Sequence, residues 1–206
     1  MRIGVCLVAL CTMACVRVNL GSGSPPPTVY LLQPSLPAPA VALHPVAVAI
    51  NDFGASPLYD THDMILVAAN GTVVRAGRNL WASRPADACA DILWRDLVVS
   101  KAVQAAYRRG RTGREIVVEG HLSECGARQI GEEWYAVLDV TLSIVKPGTK
   151  TDGLQRHLRM ERPLEGKEFA ALAVTMSSLA RVWSDAAMAA ILQATSPAPG
   201  PDSGSG

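Results

Sequence analysis

Aromatic side chains are scarce in this chain, with two Phe, four Tyr and four Trp among 206 residues, and that scarcity excludes a base-stacking platform for nucleic acid. A charge of one sign is missing too: 19 Lys and Arg stand against 18 Asp and Glu, a net of +1. No general electrostatic handle for DNA or RNA follows, and no nucleic-acid partner is expected. Long apolar runs are also absent. The longest, Ile3 to Met13, covers about half of the roughly 20 residues a spanning helix needs, so no transmembrane helix is expected in the mature protein. What is plentiful is aliphatic: 49% of the side chains are hydrophobic, enough for the core of one domain. Many of the 17 Gly and 14 Pro gather near the two ends, which places the folded part in the middle.

The start of the chain carries a compartment signal. Met1 and Arg2 give a short positive opening, Ile3 to Met13 is charge-free, and Ala14 is a small residue directly before Cys15. Residues 1–14 read as a secretory signal peptide. A signal ending in a small residue and then cysteine resembles a bacterial lipobox, with cleavage between Ala14 and Cys15. That resemblance implies a diacylglycerol on the Cys15 sulfur and, in many bacteria, a further acyl chain such as palmitate on its nitrogen. Two or three acyl chains, at about 0.8 kcal/mol per buried methylene, anchor effectively permanently. Thr12 stands where the lipobox usually has Leu, and Cys11 follows Leu10, a residue too large for the cleavage pocket. An ordinary cleaved signal is the alternative. Residues 15–27 then form a lipidated cysteine and a Pro, Gly and Ser tether, and the stretch Asn19 to Thr28, NLGSGSPPPT, reaches roughly 30 Å when extended. By the same resemblance, Val16 in place of Asp permits export to the outer membrane.

Loss of residues 1–14 removes Arg2 and leaves 18 basic and 18 acidic side chains, so polybasic adhesion to lipid is not the design. Cys89 and Cys125 are then the cysteines left beyond the anchor. In an oxidising compartment they would close a loop of about 35 residues, worth roughly 3–4 kcal/mol. Two buried thiols are an equal alternative.

Residues 28–194 carry the periodicities of a folded domain. Thr28–Gln33, Val46–Ile50 and Met64–Ala68 read as strands, and Asn70-Gly71 joins the third to Thr72, Val73 and Val74 as a hairpin. After Trp81 the spacing of Ala86, Ala90, Leu93 and Leu97 is helical, with Ser83 as a cap and Pro85 in the first turn. Lys101 to Arg108 is expected to continue this helix until Gly110 stops it. Ile116 to Leu122 and Trp134 to Ile144 alternate as long strands, and Leu154, Leu158 and Met160 mark a third strand with one wet face. From Glu165 an apolar stripe from Phe169 to Ile191 returns to helical spacing. Residues 195–206 read as a disordered tail. The sum is a single α+β domain: a mixed, largely antiparallel sheet with helices packed on one face.

Chemistry is harder to find. His44, His62, His121 and His157 show no metal spacing with one another or with cysteine, and His121 and Cys125, though four apart, lie on a strand leading into a turn, which does not bring their side chains together as a helix would. Ser22 and Ser24 lie in the tether and no phosphate loop occurs, so no catalytic residue, metal or cofactor is expected. Asp60, His62 and Asp63 in YDTHD read as a solvated loop. Arg108, Arg109, Arg111 and Arg114 crowd one loop, read either as a solvated turn or as a contact for acidic side chains or lipid phosphates. Trp81 is a candidate exposed partner contact, with a core cap as the other reading.

The lipobox, the spacer, the strand TVYLLQP, the segment VAVAINDFGASPLYDTHDMILV and then NLWASRPADACADILWRDL together resemble the ABC-type transport auxiliary lipoprotein family. The matching points are Tyr30 to Leu32, Pro57 to Asp60 and Trp81, and the resemblance covers roughly residues 27–194. Ser83 and Arg84 depart from the continuation expected after the Trp. The resemblance implies a non-enzymatic, periplasm-facing lipoprotein of the outer membrane. Its implied partners are a mammalian-cell-entry-domain subunit and an ABC ATPase that move lipids between the inner and outer membranes. Self-association into a homo-oligomer is compatible with this. A lipoprotein assisting another envelope machine, such as a secretion pilotin or a cell-wall synthase activator, is the alternative with the same anchor and tether.

Overall fold

The computed structural model describes residues 25–110, 113–148, 153–166 and 168–195. In chain order the elements are β1 (Thr28–Tyr30), β2 (His44–Ile50), β3 (Gly54–Ala55), β4 (Asp63–Val67), β5 (Val73–Trp81), α1 (Pro85–Ser100), β6 (Val103–Arg108), β7 (Ile116–Ile130), β8 (Glu133–Val145), β9 (Leu154–Pro163) and α2 (Phe169–Thr195).

One strand organises the sheet. Along its whole length β7 pairs antiparallel with β8, from Val117 opposite Val145 to Ile130 opposite Glu133, and β8 pairs antiparallel with β9. The β7–β8 turn is only two residues long, and Gly131 there supplies a φ of 63° that an L side chain resists. The other edge of β7 is shared by three parallel partners in succession: β2 at residues 116–118, β3 at 121–122 and β4 at 126–128. Outward from these, β6 pairs parallel with β2, β5 antiparallel with β4, and β1 parallel with β5. The sheet is therefore mixed, and its long ladders are the antiparallel ones, as the alternation in the second half implies.

A register shift between Leu122 and Glu124 lets β7 do this. Before it Ile116, Val118 and Leu122 are buried; after it Cys125 and Ala127 are, so the parity of the strand reverses. Sequence alternation therefore shows the strand only as far as Leu122. Close approach also restricts composition: a Cβ on Gly126 would strike the Ile65 carbonyl of β4, and one on Gly120 would strike the Phe53 ring.

Both helices cover one face, packed on each other and on the sheet. α1 starts at Pro85, with Arg84 as the N-cap residue and no side-chain cap, so Ser83 does not cap it. Arg84 instead ties Asp87 of the first turn to Asp60, both at 2.9 Å. Lys101 at φ 56° ends the helix, its N–H turned to the Val98 carbonyl. The expected helical continuation from Lys101 to Arg108 is corrected here: residues 103–108 form β6, an edge strand beside β2. Its alanines suit a helix, but pairing with β2 outweighs that preference. α2 begins at Phe169 and not at Glu165, because Gly166 holds a φ of 123°. It runs through Thr195, so the helix takes the first residue assigned to the tail; residues 196–206 lie outside those described.

The core forms between this face and α1 and α2. Trp183 is fully buried at its centre and meets Phe53 edge-on, with ring centroids 6.3 Å apart at 84°. A charge is buried there as well. Asp96 of α1 is 0% exposed and takes hydrogen bonds from Arg181 Nη1 and Ser184 Oγ of α2, each at 2.7 Å, and from Arg95 Nε at 2.8 Å. Arg181 also holds Asp185 and the Ser35 carbonyl, which straps the segment after β1 across α2. Removing one partner of a buried ion pair leaves the other charge uncompensated. Asp96→Ala should therefore cost about 3–5 kcal/mol of stability, read as a lowered urea midpoint with the m-value retained.

Candidate functional site

The polar groups singled out in the sequence are used mainly inside the domain. Trp81 closes β5 and is only 3% exposed, which corrects its reading as an exposed partner contact. It faces the core because β5 alternates there against β1, with Trp81 opposite Tyr30. Its backbone N–H donates to the His62 carbonyl at 2.7 Å, and its own carbonyl accepts from His62 Nδ1 at 3.0 Å. Asp60 pairs with Arg84 and Asp63 with Arg75 at 3.7 Å. Asp60 and His62 of the run YDTHD thus secure the β5–α1 junction, while Asp63, at the start of β4, ties that strand to β5.

Arg108 is likewise corrected from partner contact to strut. Its guanidinium donates to the carbonyls of Ile50 and Asn51 at 2.8 and 3.0 Å, to Asp91 of α1 at 2.9 Å and to Asp52 at 3.2 Å. Arg109, at φ 66°, leaves its side chain 75% exposed and pairs with Asp52 at 2.9 Å. The Arg109 guanidinium holds the Asp52 carboxyl below the usual carboxylate range, with Arg108 adding to the effect. The Arg114 backbone N–H donates to Glu115 Oε2 at 3.1 Å. Arg111, Ala14 and Cys15 lie outside the described residues.

Two arrangements, one ionic and one apolar, carry no sign in the sequence. On the sheet face away from the helices, Glu124 and Asp139 stand opposite each other on β7 and β8, 5% and 7% exposed. A facing carboxylate pair is a familiar acid–base constellation. Here each carboxylate is met by a guanidinium: Arg159 Nη1 reaches both at 3.0 Å and Arg128 holds Glu124 at 2.7 Å, while His157 Nε2 lies 2.8 Å from Asp139 Oδ1. The arrangement is an ion network that ties β7, β8 and β9. Only the strand register, with its shift at residue 123, reveals it. Among the described residues, no group of three or more His, Cys, Asp or Glu could hold a metal ion.

The second arrangement is an apolar cleft of about 140 Å³ at the end of the sheet where β7 turns into β8. Leu66, Ala127, Trp134, Leu164, Phe169 and Leu172 line it, and Glu168 stands at its edge. Gly166 shapes the wall with its φ of 123°. A neighbouring depression shares Trp134, Leu164 and Gly166 and is bordered by Glu132 and Glu133. Three strands, a loop and the start of α2 contribute to this cleft, so no sequence spacing could have announced it.

Cys89 and Cys125 are unbridged and buried. Burial pushes the Cys89 thiol up to about 12 and raises Cys125 well above the usual thiol range, with Cys89 and Glu124 adding to the latter. Neither forms thiolate at neutral pH. Alkylation without reductant should therefore label both only after unfolding, read by peptide mass spectrometry; labelling that first needs reduction would restore the disulfide. Burial, then the Glu124 charge, also raises Tyr59 to about 12. These raised values favour the neutral forms in the fold. The contribution of Cys89 and Tyr59 is complete below their unfolded values near 9–10 and is lost as pH rises through about 12. The Tm should hold steady up to about pH 9 and fall progressively above it, and Tyr59→Phe should reduce that alkaline slope.

The comparisons with known proteins place this arrangement in a family. No curated protein matches the chain. The crystal structure of protein XCC0632 from Xanthomonas campestris, of the DUF330 family, superposes with a TM-score of 0.69 at 16% identity, over 81% of this chain and 96% of that one. A second crystal structure, of an uncharacterized protein, gives a TM-score of 0.63 at 12% identity over 82% and 99%. At such identities the likeness is one of fold. The family model for the ABC-type transport auxiliary lipoprotein component matches residues 30–187, from the last residue of β1 well into α2. A match spanning nearly the whole described domain shows that this chain belongs to the family of ABC-type transport auxiliary lipoprotein components.

Proposed function

We propose that this chain is a non-catalytic, periplasm-facing lipoprotein of the outer membrane, serving an ABC transport system whose mammalian-cell-entry-domain subunit moves lipids between the two membranes. The observation that carries the reading is the family match over residues 30–187. The lipobox supports it from the other side, with Cys15 as the acylated residue and Ala14 on the leaving side of the cleavage. The tether holds the domain off the bilayer while the acyl chains keep it there. Energy for transport comes from the ATPase subunit. The domain supplies a docking surface, consistent with carboxylates and guanidinium groups that are spent on internal struts.

Three measurements test this. The amino-terminal peptide of the native protein should carry acyl mass on Cys15, and Cys15→Ser should move the chain from the membrane to the soluble fraction. Affinity capture from crosslinked envelopes should recover a mammalian-cell-entry-domain protein with a permease and an ATPase. Recovery of a secretin or a cell-wall synthase instead would assign the chain to another envelope machine.

A further inference from the structure

The cleft has the build of a socket for one bulky apolar side chain. Its volume, about 140 Å³, is close to the roughly 150 Å³ of a cavity that takes up benzene. Leu66, Trp134, Leu164 and Phe169 are each only partly buried around it, although the core beneath them is fully closed. Val74, opposite Leu66 in the β4–β5 register and so on the same face, is 50% exposed. Apolar surface is thus left open at one end of an otherwise well-covered helix-side face.

The rim decides what kind of partner suits the socket. Glu168 borders the cleft and Glu132 the adjoining depression, while the Glu133 carboxylate is taken by the Tyr135 hydroxyl, which donates to its Oε2 at 2.8 Å; among the described residues no lysine or arginine lines either. Such a rim repels lipid phosphates and acidic peptides and attracts cations. The depression joins the cleft through Trp134, Leu164 and Gly166, so an apolar anchor seated in the cleft would lay its neighbours against the carboxylates.

We propose that the cleft of Leu66, Trp134, Leu164 and Phe169, rimmed by Glu132 and Glu168, docks a protein segment that presents one bulky apolar side chain flanked by lysine or arginine. This deepens the transport reading above by naming the partner chemistry, and it rests on that reading only for which subunit supplies the segment. The arrangement is that of an interface hot spot, with an apolar anchor in a pocket and charge around it setting specificity.

The test uses the full chain in detergent and short synthetic peptides carrying a central Phe between lysines, a central Ala between lysines, or a central Phe between glutamates. Calorimetry should show the Phe–Lys peptide binding at least about tenfold more tightly than either control. Leu66→Trp, which fills the cleft, should remove binding. The surface pair Glu132→Lys and Glu168→Lys leaves the core untouched and should reverse the preference toward the glutamate-flanked peptide. Added salt should weaken the Phe–Lys complex. Affinity indifferent to flanking charge, or unchanged in the filled cleft, would overturn the proposal. So would saturable binding of oleate, or of vesicles of phosphatidylethanolamine and phosphatidylglycerol, equal in wild type and the charge-reversed pair with no peptide binding. Capture of the mammalian-cell-entry-domain protein separates the two claims. A Leu66→Trp chain that still captures it keeps the transport reading and removes the cleft from it. Peptide binding by a wild-type chain that captures no such protein keeps the cleft and removes the transport reading.

Discussion

The fold depends on β7 having partners along both edges. One edge is given wholly to β8, while the other is divided among β2, β3 and β4. Strands far apart in sequence are brought together because each completes a different stretch of the same hydrogen-bond ladder. The parity reversal at residue 123 then turns the strand so that its apolar side stays toward α1 and α2 in both halves. Without that shift, Cys125 and Ala127 would point to the polar face and Glu124 into the helices.

Charged groups reinforce this frame. Asp96 locks the two helices, Glu124 and Asp139 are clamped across β7, β8 and β9, and Arg108 joins the end of β2 to α1. In each case a guanidinium reaches two or more acceptors, which suits its planar, forked donors. With these groups committed to internal struts, open apolar area offers the domain a further functional surface. The cleft beside Trp134 has such area, and its carboxylate rim gives it polarity.

How much of this was legible in the sequence follows from the range of each interaction. The β8 and β9 strands, the helix from Pro85 and the apolar stripe of α2 are local periodicities, and each is found where alternation or helical spacing placed it. Residues 103–108 form a strand against their helical spacing because a run rich in alanine carries no local sign of the edge it will pair with. Trp81 and Arg108 looked available on the same grounds, since a strand terminus and a basic loop are exposed unless something distant covers them. Tyr30, Asp52 and Asp91 are distant in just that sense.

Composition, patterning and the opening motif determined by themselves the α+β class, the one-sided helices and the family resemblance, because these rest on neighbouring residues and short spacings. Tertiary structure alone decided that Glu124 faces Asp139, that Asp96 is buried against Arg181, and that Leu66, Trp134, Leu164 and Phe169 converge on one cleft. The physical reason is pairing register: a shift of one residue in β7 sends every later side chain to the opposite face, and no local preference along the strand records where that shift falls.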